Sequence, residues 1–161
     1  MIRTEAVLVY VFRDHHVLLG RHLRGIGKGR WNGLGGKCAV KESAKEAAVR
    51  ECTEEVGIKV KLNQPLGRIL YHHPRIGDWR VTIFRTEEFV GQPRGGDEMM
   101  PRWFSVEQLP YREMWDNNRA WLHHVIRHHH FEGEVWLDAQ DHLVRHTIMQ
   151  VPRLSDLGGE A

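Results

Sequence analysis

Hydrophobic residues along the chain fall into short runs, and these runs predict a protein built mainly of β-strands. Val, Leu and Ile dominate the runs, and polar or glycine-rich segments separate them. The predicted strands cover residues 4–12, 17–20, 58–62, 66–72, 79–90, 102–104, 131–138 and 142–151. A turn at 139–141 separates the last two strands, and a glycine-rich loop is expected at 25–36.

The segment between Ser43 and Gly57 has the spacing of an amphipathic helix instead. Ser43 is a good N-cap residue, and Glu46 three positions later completes a capping box. Gly57 suits the left-handed position that ends a helix. The stripe that this spacing would bury consists of Ala44, Ala48, Cys52 and Val56.

A second helix is predicted at 117–129, so strands lie before, between and after two helices. This order indicates an α/β (α+β) fold, a sandwich in which a central mixed sheet is flanked by helices. The chain has no internal repeat and no low-complexity linker. We expect one domain over residues 1–151, followed by a polar C-terminal tail at 152–161.

The composition narrows the range of partners. The net charge is +2, from 23 basic and 21 acidic residues, and no basic block argues for a nucleic-acid polymer. No apolar run reaches the roughly 18 residues of a membrane span, and residues 1–10 predict a strand rather than a signal peptide. The two cysteines lack the pattern of a disulfide framework or a zinc site, which favours the reducing cytoplasm. We expect a monomer with a small-molecule ligand.

Three carboxylates at the end of the first predicted helix carry the most chemical information. Glu51, Glu54 and Glu55 share one face, where like charges repel. The last turn of a helix also disfavours anions, so a divalent cation would relieve both penalties. Mg²⁺ prefers carboxylate oxygens and commonly bridges to phosphates. On spacing alone, a solvated acidic helix end explains the cluster equally well.

The residues around this cluster form a longer motif, G-x5-E-x7-R-E-C-x-E-E-x-G-I, between Gly36 and Ile58. At every fixed position it is similar to the signature of the Nudix hydrolases. The resemblance implies a loop–helix–loop that holds Mg²⁺, for which Mn²⁺ would substitute. The implied metal ligands are Gly36 or Gly35 through a backbone carbonyl, Glu51, Glu54, Glu55 and the more distant Glu98. Glu51 would be a ligand or the general base, and Arg50 would orient the glutamates, so the catalytic group is Glu51, Arg50 and Glu54.

The resemblance to one branch of this family, the MutT homologues that hydrolyse 8-oxo-dGTP, extends over most of the chain. It is carried by residues 29–37, 97–99, 103–104 and 109–115 and by the closing strands. The substrate-binding residues that it implies are Asn32, Tyr71, Trp79, Trp115, Asn117 and Asn118. The chain departs from the branch in two features: Asn117-Asn118 replaces an aspartate pair, and Ile26 replaces an aromatic residue. The alternative for Asn117 is a helix N-cap, with Asn118 facing solvent.

The function that these observations predict is Mg²⁺-dependent hydrolysis of a nucleoside triphosphate to a monophosphate and pyrophosphate. The expected substrates are oxidised purine (d)NTPs such as 8-oxo-dGTP, which would make the protein a nucleotide-pool sanitation enzyme. One alternative is the same chemistry on ADP-ribose, suggested by Pro74 near a position where such relatives carry a proline. A turn explains Pro74 equally well. The other alternative is a non-catalytic nucleotide-sensing module, which usually lacks glutamates that this chain keeps.

Overall fold

A computed structural model describes residues 4–156. The strands are β1 (Thr4–Arg13), β2 (His16–His22), β3 (Trp31–Asn32), β4 (Leu34–Lys37), β5 (Lys59–Val60), β6 (Gly67–His73), β7 (Gly77–Thr86), β8 (Phe89–Val90), β9 (Met99–Ser105), β10 (Phe131–Leu137), β11 (Leu143–His146) and β12 (Met149–Gln150). The α-helices are α1 (Ala44–Val56) and α2 (Leu122–Ile126), and two 3₁₀ helices cover Tyr111–Glu113 and Asp116–Ala120.

The main sheet is mixed, as the sequence predicts. Its strand order is β11-β10-β6-β7-β1-β2-β3, with β4 beside β1, β9 beside β2 and β12 beside β10. The pairs β1–β7 and β6–β10 are parallel, and the other pairs are antiparallel. Strands β5 and β8 form a separate small sheet.

Helix α1 covers one side of the sheet and forms because its ends are capped. The Ser43 side chain accepts a hydrogen bond from the Glu46 backbone N–H at 3.1 Å. Gly57 has a φ of 73° and donates to the Thr53 carbonyl at 3.0 Å. The buried face consists of Ala47, Ala48, Cys52 and Val56. Ala44, which was predicted to belong to this face, is only half-buried. Ala47, which was not predicted, is buried in its stead.

The other side of the sheet is covered by the segment between β9 and β10. Trp121 is fully buried there, with its ring 5.9 Å from the Tyr10 ring and 5.9 Å from the Phe131 ring. The two sides have separate hydrophobic clusters, one with α1 and one with Trp121 and Leu122. The sheet is therefore sandwiched between two layers, which confirms the predicted fold class.

The prediction of one continuous helix at 117–129 is wrong. The segment is a 3₁₀ helix over Asp116–Ala120 and a short α-helix over Leu122–Ile126, interrupted at Trp121 with φ −143° and ψ −16°. Trp121 leaves the helical conformation because its indole is buried in the core and donates to Asn117 Oδ1 at 2.9 Å. A tertiary contact therefore overrides the local helical preference.

The predicted loop at 25–36 also contains structure that spacing did not indicate. Its second half forms β3 and β4, because the backbone of Leu34–Lys37 pairs with β1. A Cβ at Gly35 would collide with the Val7 carbonyl oxygen, so glycine permits this close approach.

Among the described residues, no helix is both long and apolar enough to cross a membrane. At the C-terminus, Ser155 accepts a hydrogen bond from Arg68 through its carbonyl and bonds Glu132 through its hydroxyl at 2.8 Å. The rest of the predicted tail, 157–161, and residues 1–3 lie outside the described residues.

Candidate active site

Acidic residues from the C-terminal half of α1 and from the segment before β9 line a cleft. The lining side chains include Glu51, Glu54, Glu55, Asp97 and Glu98, together with His22 and Arg24. Glu51 and Glu55 are half-buried, whereas Glu54 and Glu98 are exposed. The fold thus brings the four glutamates that the sequence proposes as metal ligands to one place.

Arg50 organises three glutamates of the motif between Gly36 and Ile58, which is called the box from here on. Its guanidinium donates to both oxygens of Glu42, at 2.7 and 2.8 Å. It also donates to Glu51 at 3.0 Å and to Glu54 at 3.1 Å. These contacts place Arg50 where the predicted orienting role requires it.

Glu42 is a box residue to which the sequence analysis gave no role of its own. Its carboxylate also accepts from the Ala39 backbone N–H at 2.8 Å. The Arg50 hydrogen bonds, aided by this backbone bond, lower the pKa of Glu42 to about 2. Glu42 therefore stays ionised and anchors the guanidinium from the side opposite the cleft carboxylates.

Burial and crowding make the cleft costly for negative charge. Burial raises the pKa of Glu55 to about 8, even though the Gly35 backbone N–H donates to its carboxylate at 2.6 Å. The neighbouring carboxylates, of which Glu51 contributes most, raise it further. Burial also raises the pKa of Glu51 above its usual range despite the Arg50 hydrogen bond. A bound cation would replace protons here.

The chemistry of the donor set fits a hard divalent cation. All of the candidate side-chain ligands are carboxylates, and oxygen is the ligand that Mg²⁺ prefers. The Glu51 carboxylate lies in the space beside Gly36 that a side chain would fill, since a Cβ there would come within 2.7 Å of Oε1. Glycine at position 36 therefore leaves room for the Glu51 carboxylate beside the backbone carbonyl that is predicted to be a metal ligand.

The carboxylates are turned toward other partners, so their oxygens do not converge. Glu51 and Glu54 face Arg50, Glu55 faces Gly35, and Glu98 pairs with Arg24 at 2.9 Å. Within residues 4–156, no three His, Cys, Asp or Glu side chains are arranged to hold a metal ion. The residues match the cation in chemistry, while the set of ligands stays a prediction.

An apolar cavity of about 350 Å³ lies next to the acidic cleft. All six residues that the sequence proposes for substrate binding line it: Asn32, Tyr71, Trp79, Trp115, Asn117 and Asn118. Ile26 lies at its mouth, 58% exposed. His22 and Gly35 border both the cavity and the cleft, so the two are adjacent.

The deep end of the cavity carries two buried amides. Asn117 and Asn118 are each 1% exposed, and no side-chain cap hydrogen bond forms at the start of the 3₁₀ helix, so the alternative of an N-cap with a solvated neighbour is wrong. Asn117 Oδ1 accepts from Tyr71 Oη at 2.8 Å as well as from the Trp121 indole. Because an indole N–H can only donate, this pairing fixes which end of the amide is oxygen.

These bonds determine the polarity of the deep end. The acceptor of Asn117 is used by two donors, which leaves its NH₂ group for other partners. The NH₂ group of Asn118 is buried without a hydrogen-bond partner in the described structure. Asn32 resembles Asn117 in that its oxygen is already used: Oδ1 accepts from the Gly33 backbone N–H at 2.8 Å, which leaves the NH₂ group for other partners. Ligand acceptor atoms would satisfy such donors.

Aromatic side chains form the walls nearer the mouth. The Arg30 guanidinium lies 4.2 Å from the centre of the Trp115 ring, and the Lys37 ammonium lies 5.3 Å from that of Trp79. The Trp79 indole donates to the Ile76 carbonyl at 3.2 Å. Arg30 is held in turn by Asp141, at 3.1 Å. Arg30 and Asp141 could not be predicted from local sequence, because they are 111 positions apart and form no local pattern.

The box, the sandwich fold and the acidic cleft together define a hydrolase of the Nudix class. A family model described as NUDIX domain matches residues 2–145, and the chain belongs to this family.

Its relatives have similar lengths. An oxidized purine nucleoside triphosphate hydrolase of Danio rerio is 35% identical over 150 residues, covering 91% of this chain and 95% of the relative. The Mus musculus protein of the same name is 33% identical over 147 residues, covering 89% and 93%. A MutT protein from Bacillus halodurans has a similar fold, with a TM-score of 0.80 at 21% identity over 91% of this chain and 97% of the other.

Proposed function

We propose that the protein hydrolyses oxidised purine nucleoside triphosphates, such as 8-oxo-dGTP, to the monophosphate and pyrophosphate. The observation that carries this proposal is that the acidic cleft and the apolar cavity are adjacent and share His22 and Gly35. A nucleotide with its base in the cavity would extend its phosphates toward the carboxylates. The names of the Danio rerio and Mus musculus relatives support this substrate class.

The carboxylates would act with Mg²⁺, for which Mn²⁺ would substitute. When bound, the cation neutralises phosphate charge and lowers the pKa of a coordinated water. Glu54, Glu55, Glu98 and the Gly36 carbonyl would hold it. Glu51 would either complete this set or accept the proton of the attacking water, and its raised pKa supports the second role. Arg50 would keep Glu51 and Glu54 in place through its bonds to both.

The cavity would select the base. Trp115 offers an aromatic face, and base–aromatic stacking contributes about 1–3 kcal/mol. The NH₂ groups of Asn117 and Asn118 would donate to acceptors such as the O6 keto oxygen of an oxidised guanine. A 6-amino purine presents donors at that position, so the pocket should favour 8-oxo-dGTP over oxidised adenine nucleotides.

The direct experiment is a kinetic panel with Mg²⁺, comparing kcat/KM and products for dGTP, 8-oxo-dGTP, an oxidised dATP and ADP-ribose. We expect the highest kcat/KM with 8-oxo-dGTP, and we expect monophosphate and pyrophosphate as products. Preference for ADP-ribose would contradict the proposal. The structure gives Pro74 a different explanation from a role in binding, since it begins the turn between β6 and β7.

We further propose that the protein is a cytoplasmic monomer without a nucleic-acid or membrane partner. Both cysteines are free, which suits a reducing compartment. Light scattering on the purified protein would check the oligomeric state. Fractionation of the source cells would check the location.

A further inference from the structure

The turn between β10 and β11 holds an aspartate in an unusual backbone conformation. Asp141 has a φ of 68°, in the left-handed region that most residues avoid and that aspartate and asparagine tolerate. Although it lies at the tip of a hairpin, its side chain is only 19% exposed. Its carboxylate is therefore directed into the protein, toward Arg30 and His73.

One oxygen of this carboxylate holds the turn between β6 and β7. His73 Nε2 lies 2.7 Å from Asp141 Oδ1, and the His73 side chain is 2% exposed. The other ring nitrogen, Nδ1, accepts from the backbone N–H groups of Arg75 and Ile76 at 3.1 and 3.4 Å. The imidazole hydrogen is therefore on Nε2 and is donated to Asp141. His73 and Ile76 both line the cavity.

The second oxygen holds the glycine-rich loop. Arg30 Nη1 donates to Asp141 Oδ2 at 3.1 Å, and the same guanidinium lies over the Trp115 ring. The hairpin is tied to the Trp115 segment a second time, because the Leu143 backbone N–H donates to the Asp116 carboxylate at 2.9 Å. One carboxylate thus joins three segments that are distant in the sequence. Besides its own hairpin, it binds His73, which lines the cavity, and Arg30, which lies over the cavity residue Trp115.

We propose that Asp141 is a positioning residue for the base: by fixing Arg30 against Trp115, it sets the orientation in which the indole meets the substrate. The proposal rests on the proposed function, since it assumes that a base enters this cavity. A guanidinium covering one side of an indole limits both the rotation of the ring and the faces on which a base can stack. Without Asp141, Arg30 loses its half-buried partner and Trp115 loses this support.

The test compares Asp141→Asn with Asp138→Asn. Asparagine keeps the shape of the side chain and tolerates the left-handed backbone, so the hairpin should fold. Asp138 lies in the same hairpin and caps its turn by accepting from the Gln140 and His142 backbone N–H groups, both at 2.9 Å. Among the described residues it makes no hydrogen bond to Arg30 or His73, the two partners of Asp141. For Asp141→Asn we expect KM for purine triphosphates to rise by about tenfold and kcat to stay within about twofold.

The control should leave both constants near those of the parent protein, even if it lowers the melting temperature. The double variant Arg30→Met/Asp141→Asn should have the KM of the worse single variant, because both changes remove one interaction. Equal rises in KM for Asp138→Asn and Asp141→Asn, additive effects in the double variant, or a fall in kcat alone would overturn the proposal.

A second measurement does not need substrate. The protein is labelled with 5-fluorotryptophan, and the Trp115 fluorine signal is assigned by its loss in Trp115→Phe. We expect Asp141→Asn to shift or broaden this signal, and Asp138→Asn to leave it unchanged. An unchanged Trp115 signal in Asp141→Asn would overturn the positioning role even if the enzyme hydrolyses purine triphosphates. A shifted signal in a protein without such activity would refute the proposed function instead.

Discussion

Glu55, a residue of the sequence motif, has a raised pKa that affects how the stability of the protein depends on pH. In the metal-free protein its pKa of about 8 lies well above the usual carboxyl value of 4.5. The folded state therefore retains a proton that the unfolded chain releases above about pH 4.5. This contribution to the unfolding free energy is complete below about pH 4.5 and is lost as the pH rises through about 8.

Glu55→Gln should therefore raise the melting temperature in chelator more at about pH 8.5 than at about pH 5.5, by about 3 °C or more at the higher pH. Glutamine can still accept the Gly35 hydrogen bond, so the gain reflects the removed charge. Thermal unfolding at both pH values measures it, with the exposed Glu107→Gln as the control. The same variant should lose metal-supported turnover while remaining folded. An identical gain at both pH values would contradict the explanation by burial of charge.

The buried amides lead to a prediction about specificity. Asparagine has no proton to shift near neutral pH, so preference among bases should not change between about pH 6 and 9, apart from effects on the metal site. Replacing both, as Asn117→Asp with Asn118→Asp, should change the ratio of kcat/KM between 8-oxo-dGTP and oxidised adenine substrates by at least about tenfold. The matched control is Asn63→Asp, on an exposed loop. An unchanged substrate ranking would show that the base is recognised elsewhere.

At the level of elements, the end of α1 lies directly after two of the candidate metal ligands, Glu54 and Glu55. Gly57 is left-handed and follows Glu54 and Glu55 within three positions. Gly57→Ala should lower the unfolding free energy by about 1 kcal/mol, because alanine is strained in this conformation. Denaturant titration checks this, and Gly96→Ala is the control because its Cβ would meet no atom and its φ is not positive. Equal stability of the two variants would contradict the capping argument.

The elements also show which features local sequence can predict. Helix α1 was predicted with its caps because Ser43, Glu46 and Gly57 act within one turn of its ends. Strands β3 and β4 were missed because their pairing partners, β2 and β1, lie elsewhere in the sequence. The break at Trp121 was missed because its cause is a buried bond to Asn117 rather than a helix-breaking residue.

The candidate site divides in the same way. Three carboxylates of the cleft, those of Glu51, Glu54 and Glu55, lie on a single helix, so their grouping follows from the period of the helix. The pocket residues were obtained by resemblance to relatives, and residues without such a match, such as Asp141 and His73, gave no signal. Their contact joins positions 68 apart, which only the fold brings together.

For the whole molecule, the proposed cation should act on stability as well as on activity. A ligand that binds only the folded state stabilises it by mass action, so Mg²⁺ at about 100 times its Kd should add about 2.7 kcal/mol. Melting temperature and turnover should therefore fall together in excess chelator and recover together with Mg²⁺ or Mn²⁺. Full turnover in chelator would refute the metal requirement. Ca²⁺ is a useful comparison, because it binds carboxylates with looser geometry.

The dependence of the pocket on the last hairpin has a consequence for synthesis on the ribosome. The loop, β1 and α1 are made early, so the acidic cleft can begin to form while the chain is still growing. Arg30 cannot bind its partner until Asp141 has emerged and the hairpin has docked on β6 through the parallel β10 strand. A nascent chain stopped before this hairpin would carry the entire Nudix box and still lack the residue that we propose aligns the base.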